Sequence, residues 1–379
     1  MDIFDSDGFD SGNFNLADDL DIIRKMNASF TPGPQNIIDA AFNRKPGRLP
    51  LYEHGIDPRH MDVILGEDVY AHLEKGLDMA HFTEYYRGFI RFYRFMGYDF
   101  ANMDQNIGSF MPGSGALLSE RDGVISDRDS YRQYPWDSVP GIFKERTYPH
   151  YEAFLRLLPS DMTAVGGAGN GIFECVQDLT GFTSLCYIKS DDPELYADIF
   201  KKQAEVNHRI WREFLSNFAD GYGVFRFGDD LGYKSNTMLS REDINELIIP
   251  GYAPIVGEMR QYNKPMLYHS CGCIFGVMDD IIAKAGINAK HSNESAIADI
   301  KKWVDLYNDR IGIFGGIDVN DLCSFGPEAL EAEIRRIHAI AAGANGFAFG
   351  SGNSIAHYVP AERYVRMVRL FRELRGEKP

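Results

Sequence analysis

The stretch Lys264-Pro-Met-Leu-Tyr-His-Ser-Cys-Gly-Cys273 joins a short apolar run to three side chains that can bind a metal. The apolar run predicts a buried strand, and Gly272 allows a sharp turn where that strand ends. His269, Cys271 and Cys273 therefore follow the strand closely. Zinc prefers imidazole and thiolate ligands, but free cysteines are also commonly buried without a metal. The spacing alone leaves both interpretations open.

The alternation of strand and helix continues on both sides of this stretch. Helical segments separate seven further apolar runs that are typical of strands. Alternating strands and helices imply parallel strands joined by right-handed crossovers. Eight such strands predict an α/β protein with a single (β/α)8 TIM barrel. The eight predicted strands are 48–55, 98–104, 162–169, 222–230, 265–268, 287–291, 311–318 and 345–352.

Two segments fall outside the predicted barrel pattern. Residues 2–21 contain seven aspartates and no basic residue, which predicts a solvated acidic arm that could contact a partner subunit in a homodimer. We assign residues 1–33 to this arm and residues 34–379 to the barrel. Residues 106–150 are rich in Gly, Pro, Arg and Tyr, so we expect a long irregular insertion or lid after the second strand.

The composition excludes several classes of protein. With 379 residues, 44% of them hydrophobic, the chain can fill a sizeable core. Its net charge of −16 argues against binding to nucleic acid or to an anionic membrane surface. The first residues lack the pattern of a secretory signal, and five cysteines suggest reduced thiols rather than a disulfide framework. We therefore expect a cytoplasmic protein.

Barrel enzymes carry their chemistry at the carboxyl ends of the strands. This rule places Asp229 and Asp230 beside His269, where paired carboxylates could orient a base, bind a cation or only cap a loop. Glu294, just past the sixth strand, could give a metal a carboxylate oxygen. The other side chains expected around this opening, as substrate contacts, are His54, Asp318 and Ser351.

Four motifs resemble those of the uroporphyrinogen decarboxylase superfamily. They are Phe227-Gly-Asp-Asp-Leu-Gly232, His269-Ser-Cys-Gly272, Gly315-Gly-Ile-Asp318 and Phe349-Gly-Ser-Gly352, within a resemblance that spans residues 35–375. The resemblance implies the same barrel. The superfamily also contains zinc-dependent methyltransferases that act with methylcorrinoid proteins, so membership leaves the reaction open.

The chain departs from the true decarboxylases of that superfamily. Those enzymes carry an arginine-rich segment after the first strand. The matching segment of this chain is Tyr-Glu-His-Gly-Ile-Asp at 52–57. The positions of their catalytic Asp, Tyr and His correspond here to Asn106, Cys175 and Ser351. Decarboxylation of a porphyrinogen is therefore disfavoured, although a carboxy-lyase acting on a tetrapyrrole or another acidic substrate remains an alternative.

The methyltransferase branch is the closer resemblance. It implies zinc held by His269, Cys271 and Glu294, whereas its further cysteine ligand is replaced by Ser351. Cys273 or Asp230 could complete the shell. We therefore expect a zinc-dependent methyltransferase that exchanges a methyl group between a corrinoid protein and a small-molecule donor or a thiol or folate acceptor. Asp229, Asp230 and His269 would be catalytic, and a non-catalytic ligand-binding barrel is a further alternative.

Overall fold

Seven parallel strands form one curled sheet in the computed structural model, which describes residues 14–117 and 122–379. Each strand pairs with the next one in the chain, so the order is β1 to β7 without crossing. The strands are short and buried on both faces, as expected for a sheet covered by helices. They are β1 Phe100–Gln105, β2 Thr163–Ala168, β3 Tyr222–Gly228, β4 Met266–His269, β5 Ala289–His291, β6 Gly312–Ile317 and β7 Phe347–Ser351.

Helices connect and cover these strands. They are α1 Leu16–Met26, α2 Pro34–Ala41, α3 Pro58–Leu65, α4 Ala71–Lys75, α5 Met79–Met96, α6 Arg128–Gln133, α7 Val139–Leu157, α8 Ile172–Thr180, α9 Phe182–Asp191, α10 Pro193–Phe218, α11 Arg241–Asp243, α12 Ile249–Gln261, α13 Phe275–Asp280, α14 Ile300–Tyr307, α15 Val319–Ser324, α16 Pro327–Gly343 and α17 Ala361–Leu374. Within the described ranges, none of them has both the length and the hydropathy that a bilayer span requires.

The register of the sheet aligns the carboxyl ends of three neighbouring strands. Gly228 at the end of β3 pairs with His269 on β4, and His269 pairs with His291 on β5. Because the strands are parallel, all three positions lie at the carboxyl edge of the sheet. This edge is where the sequence predicts the metal ligands.

The predicted first strand, 48–55, is not a strand in the structure. It forms a single parallel bridge between Leu51 and Phe349 of β7, in which the Tyr52 N–H donates to the Phe349 carbonyl at 2.7 Å. Pro50 has no N–H to extend such a ladder. On the other side, the Asn102 side chain donates to the Glu53 carbonyl at 2.9 Å. The segment thus lies between β7 and β1, while the closed eight-stranded barrel stays a prediction.

The described part of the N-terminal segment is a helix that packs against α17. Asp19 of α1 is only 1% exposed and forms ion pairs with Arg366 and Arg369, both at 2.7 Å. The prediction of a solvated arm over residues 2–21 is therefore wrong at Asp19, which lies on the buried face of α1 with Leu20, Ile23 and Met26, although Asp18 and Asp21 are exposed. Residues 1–13 lie outside the described residues, and the domain boundary stays a prediction.

The second half of the segment predicted as an irregular insertion is largely helical. It contains α6 and the first part of α7, so the expectation for 106–150 is wrong from Arg128 onward. Pro140 stands in the first turn of α7, where its missing N–H costs no helical hydrogen bond. The proline therefore marks a helix start rather than a break. Residues 118–121 are outside the described ranges.

Candidate metal centre

A polar cavity opens at the carboxyl edge of the sheet, beside the ends of β3 and β4. Its volume is about 290 Å³, at the lower end for a ligand pocket. The side chains that line it include His54, Asp104, Glu174, Arg226, Asp230, His269 and Cys271. Of the residues predicted for the site, the structure thus brings His54, Asp230, His269 and Cys271 to one cavity.

Asp230, His269 and Cys271 place three possible metal ligands within 4.8 Å of one another. The Cys271 Sγ atom lies 3.4 Å from His269 Nε2, and the Asp230 Oδ1 atom lies 3.7 Å from the same nitrogen. The Cys271 N–H also donates to Asp230 Oδ1 at 2.8 Å, which holds the carboxylate beside the thiol. The three groups come from two neighbouring strand ends.

These separations suit zinc. A tetrahedral zinc with ordinary bond lengths separates an imidazole nitrogen from a thiolate sulfur by about 3.6 Å and from a carboxylate oxygen by about 3.4 Å. The observed distances of 3.4 and 3.7 Å agree with these values to a few tenths of an ångström. Three protein ligands would leave one position open, as in catalytic zinc sites.

The surroundings of the Cys271 thiol disfavour its ionisation unless a cation binds. Burial, together with the negative charge of Asp230, raises its pKa to about 12. Two donors nevertheless point at the sulfur, namely Asn353 Nδ2 at 3.3 Å and Ser292 Oγ at 3.7 Å. Donors of this kind stabilise a thiolate, which a metal ion would bring about.

A second group of three possible ligands consists of His54, His269 and His291. The His54 ring stacks on His269, with the ring centres 3.7 Å apart and the planes inclined by 20°. Stacked imidazoles direct their in-plane lone pairs along roughly parallel planes rather than at a common point. The trio is therefore less suited to an ion than the set with Asp230 and Cys271.

Glu294 and Cys273 belong to neither group in the described part of the chain. Glu294 Oε1 accepts from the Gly272 N–H at 3.3 Å, so the carboxylate supports the turn that carries Cys271. The Cys273 N–H donates to the Tyr233 carbonyl at 2.6 Å. Glu294 and Cys273 therefore stay predicted ligands, whereas the group of side chains that lie together contains Asp230.

Asp229 anchors a helix next to the cavity. It is fully buried, and its carboxylate accepts from the N–H groups of Phe173 and Glu174 in the first turn of α8, at 2.9 and 2.8 Å. The Tyr252 hydroxyl donates to the same carboxylate. Burial raises the pKa of Asp229 to about 6, while these donors oppose the rise. Asp229 thus fixes α8 and is not among the residues that line the cavity.

Ser351 and Asp318 also have protein partners. Ser351 is fully buried, and its N–H donates to Glu53 Oε1 at 3.0 Å. Its hydroxyl lies against Glu53 Oε2 and 2.6 Å from the Asn353 carbonyl. Asp318 caps α15 through the Asn320 N–H at 2.7 Å and lines a neighbouring cavity together with Glu294. Neither side chain lines the cavity beside Cys271.

Glu174, Arg226 and Glu53 were not among the side chains predicted for the site. Glu174 follows a glycine-rich turn that is too irregular for a phosphate loop, so nothing marked it out. Arg226 lies inside a predicted strand, where period-two alternation could have placed it in the barrel interior. Glu53 lies in the segment 52–57 that distinguishes this chain from the decarboxylases, but its partner Ser351 is 298 residues away.

The guanidinium of Arg226 hydrogen-bonds to other groups of the protein. Its Nη2 donates to Asp104 at 2.8 Å, and its Nη1 donates to the Tyr52 hydroxyl at 3.0 Å and the His54 carbonyl at 2.9 Å. Burial of the nearby His269 beside this cation holds the pKa of His269 well below its usual range. Burial likewise lowers the pKa of His291 to about 3. The imidazoles are therefore neutral and available as ligands or hydrogen-bonding groups.

Comparison with known proteins gives a family match. Residues 132–374, more than half of the chain, match the model of the family described as Uroporphyrinogen decarboxylase (URO-D). No curated protein matches the chain. Among solved structures, a methyltransferase from Methanosarcina mazei is similar with a TM-score of 0.65 and 15% identity, over 91% of this chain and 99% of that one.

A second solved structure is less similar. A putative vitamin-B12 independent methionine synthase from Listeria monocytogenes has a TM-score of 0.48 and 12% identity, over 87% of this chain and 98% of that one. At 15% identity the likeness to the Methanosarcina mazei protein establishes only the fold, and the second likeness is too weak to support an argument. The first agrees with the alternating strands and helices predicted from the sequence.

Proposed function

Because the chain belongs to the uroporphyrinogen decarboxylase family, a membership that the sequence motifs predicted, we propose that it is a zinc-dependent methyltransferase of that family. It would exchange a methyl group between a corrinoid protein and a small-molecule donor or acceptor, in the cytoplasm. The observation that carries the proposal is the convergence of Asp230, His269 and Cys271 within 4.8 Å. The similar Methanosarcina mazei protein, named a methyltransferase, supports the choice of reaction.

The cavity opposes the decarboxylase alternative. Arg226 is the only Arg or Lys among the described residues that line the cavity. Its N–H groups already donate to Asp104, Tyr52 and His54. The carboxylates of an acidic tetrapyrrole would therefore find Asp230 and Glu174 instead of free cations. A cavity of about 290 Å³ also suits a small substrate.

Bound zinc would supply Lewis acidity, either keeping a thiol acceptor as its thiolate or polarising the heteroatom of a methyl donor. The protein residues would do the rest. Asp230, His269 and Cys271 would hold the ion, and Asn353 and Ser292 would hydrogen-bond to the Cys271 sulfur. Asp229 would keep α8 in place and thereby position Glu174 at the cavity wall.

Glu174 is placed to handle a proton in this reaction. Burial, followed by the charges of Asp229 and Asp230, raises its pKa well above the usual range, while a hydrogen bond from Asn170 at 3.0 Å opposes the rise. This rise in the pKa favours the protonated form of the carboxyl group. Glu174 could therefore protonate the heteroatom that leaves a methyl donor, or return that proton in the reverse direction.

Metal content and methyl transfer test the proposal together. We would measure zinc in the purified protein and in Cys271→Ser, with Cys273→Ser as the matched control. Free methylcobalamin and a simple alkanethiol would serve as probes, because loss of the methyl group changes the corrinoid spectrum. We expect zinc and demethylation in the unchanged protein and in Cys273→Ser, and neither in Cys271→Ser. Equal zinc in all three proteins would refute the metal site.

A further inference from the structure

A line of polar contacts approaches the His269 ring from the side opposite to Asp230 and Cys271. The Ser351 carbonyl oxygen lies 3.2 Å from His291 Nε2. The other nitrogen of that ring, Nδ1, lies 2.8 Å from His269 Nδ1. Finally, His269 Nε2 lies 3.4 Å from Cys271 Sγ. The three contacts connect β7, β5 and β4 in one line.

The hydrogens along this line can be assigned by counting donors. A carbonyl oxygen only accepts, so the contact with Ser351 requires a hydrogen on His291 Nε2. His291 is fully buried, and its two ring nitrogens contact the Ser351 carbonyl and another imidazole rather than a carboxylate, which favours a neutral ring. A neutral imidazole with a hydrogen on Nε2 has a lone pair on Nδ1. That lone pair must then accept a hydrogen from His269 Nδ1.

We propose that His291 is a positioning residue that holds His269 as its Nδ1–H tautomer and so directs the Nε2 lone pair at a metal bound with Asp230 and Cys271. The inference rests on the proposed metal site. Metal-binding histidines commonly donate their other ring N–H to a fixed acceptor, which sets the tautomer and the ring orientation. Here the acceptor is a second histidine.

The assignment also gives the end of β7 a role in the site. Ser351 acts through its main-chain carbonyl, whereas its side chain binds Glu53 and Asn353. The carbonyl cannot change its hydrogen-bonding character with pH. It therefore fixes the direction of both histidine hydrogen bonds from the far strand.

Two substitutions of His291 separate the proposed role from mere packing. His291→Asn retains an acceptor oxygen near the position of Nδ1, whereas His291→Phe retains an aromatic ring and removes the acceptor. We would measure zinc affinity at pH 7 by competition with a chromophoric chelator. The expected loss is about 10- to 100-fold for the Phe variant and only a few-fold for the Asn variant. His338→Phe on α16 controls for the loss of a histidine.

A direct measurement avoids any question of folding. Long-range ¹H–¹⁵N correlation spectra of the unchanged, metal-free protein report which nitrogen of each histidine carries hydrogen. We expect hydrogen on Nδ1 of His269 and on Nε2 of His291. Hydrogen on His269 Nε2, equal zinc affinity in all variants, or equal losses in the Asn and Phe variants would overturn the inference. Absence of zinc binding in the unchanged protein would instead overturn the proposed function, and the inference with it.

Discussion

His269 and His291 face each other through their Nδ1 atoms at 2.8 Å, on strand ends that are register partners in the sheet. The contact therefore follows from the pairing of β4 with β5. Because the pairing is set by the buried runs of both strands, the imidazoles meet without any ligand to draw them together. The orientation of the His269 ring is therefore organised by the fold itself.

The first prediction concerns the third metal ligand. Asp230→Asn keeps an oxygen for the Cys271 N–H and removes the charge, so zinc affinity should fall by at least about 10-fold. Glu294→Gln should bind zinc as the unchanged protein does, because Glu294 is outside the ligand group. Chelator competition measures both. The opposite ranking would restore Glu294 as the ligand expected from the sequence.

The second prediction concerns Glu174 and the pH profile of methyl transfer. The pKa of this carboxyl is raised well above its usual range, so the proton-donating form is lost as the pH rises through that raised value. Glu174→Gln should lower the rate of transfer from an oxygen or nitrogen donor by about 100-fold or more and remove this alkaline decline. Rates between pH 6 and 10 test the prediction, and an unchanged profile in Glu174→Gln would contradict it.

The third prediction concerns stability and Glu53. Burial raises the pKa of Glu53 to about 8, above its ordinary value of about 4.5. The folded state therefore binds more protons than the unfolded state between these values, and the free energy of unfolding should fall as the pH rises from about 5 to 8. Glu53→Gln can still donate to the Ser351 hydroxyl, whose own hydrogen serves the Asn353 carbonyl.

Denaturant unfolding at several pH values measures this effect. The decline between pH 5 and 8 should be smaller in Glu53→Gln by a few kcal/mol, since one pKa unit corresponds to about 1.4 kcal/mol. If the two proteins lose stability in parallel, Glu53 is ionised in the folded state and the assignment of its proton is wrong.

The fourth prediction concerns the attachment of α1. Asp19→Asn leaves Arg366 and Arg369 without their buried counter-charge, which should reduce the free energy of unfolding by about 3 kcal/mol. The exposed pair of Lys301 and Asp305 supplies the control, because Asp305→Asn should change the free energy of unfolding by less than about 1 kcal/mol. Similar effects of both substitutions would show that α1 contributes little to the folded state.

Apolar periodicity was sufficient to predict most of the sheet. Seven of the eight predicted strands are present in the described residues, and their parallel pairing is what brings Asp230, His269 and Cys271 together. The strand predicted at 48–55 was wrong because apolar content says nothing about ladder hydrogen bonds, which Pro50 interrupts.

Side-chain directions beyond the strand ends were harder to predict. Asp229 and Asp230 are neighbours in sequence, yet one caps α8 and the other faces His269. Glu294 stays a predicted ligand, and its carboxylate accepts from the Gly272 N–H, a contact that depends on a local turn and that spacing does not reveal. Glu174 and Glu53 became recognisable only through partners distant in the chain.

Arg226 has a consequence for the acid–base balance of metal uptake. Its buried guanidinium stays cationic and helps to keep His54 and His269 neutral. An arriving ion would therefore find a bare imidazole nitrogen and a protonated thiol at Cys271, whose pKa is about 12. Loading of the site would release the proton of the thiol, so metal uptake would become tighter as the pH rises.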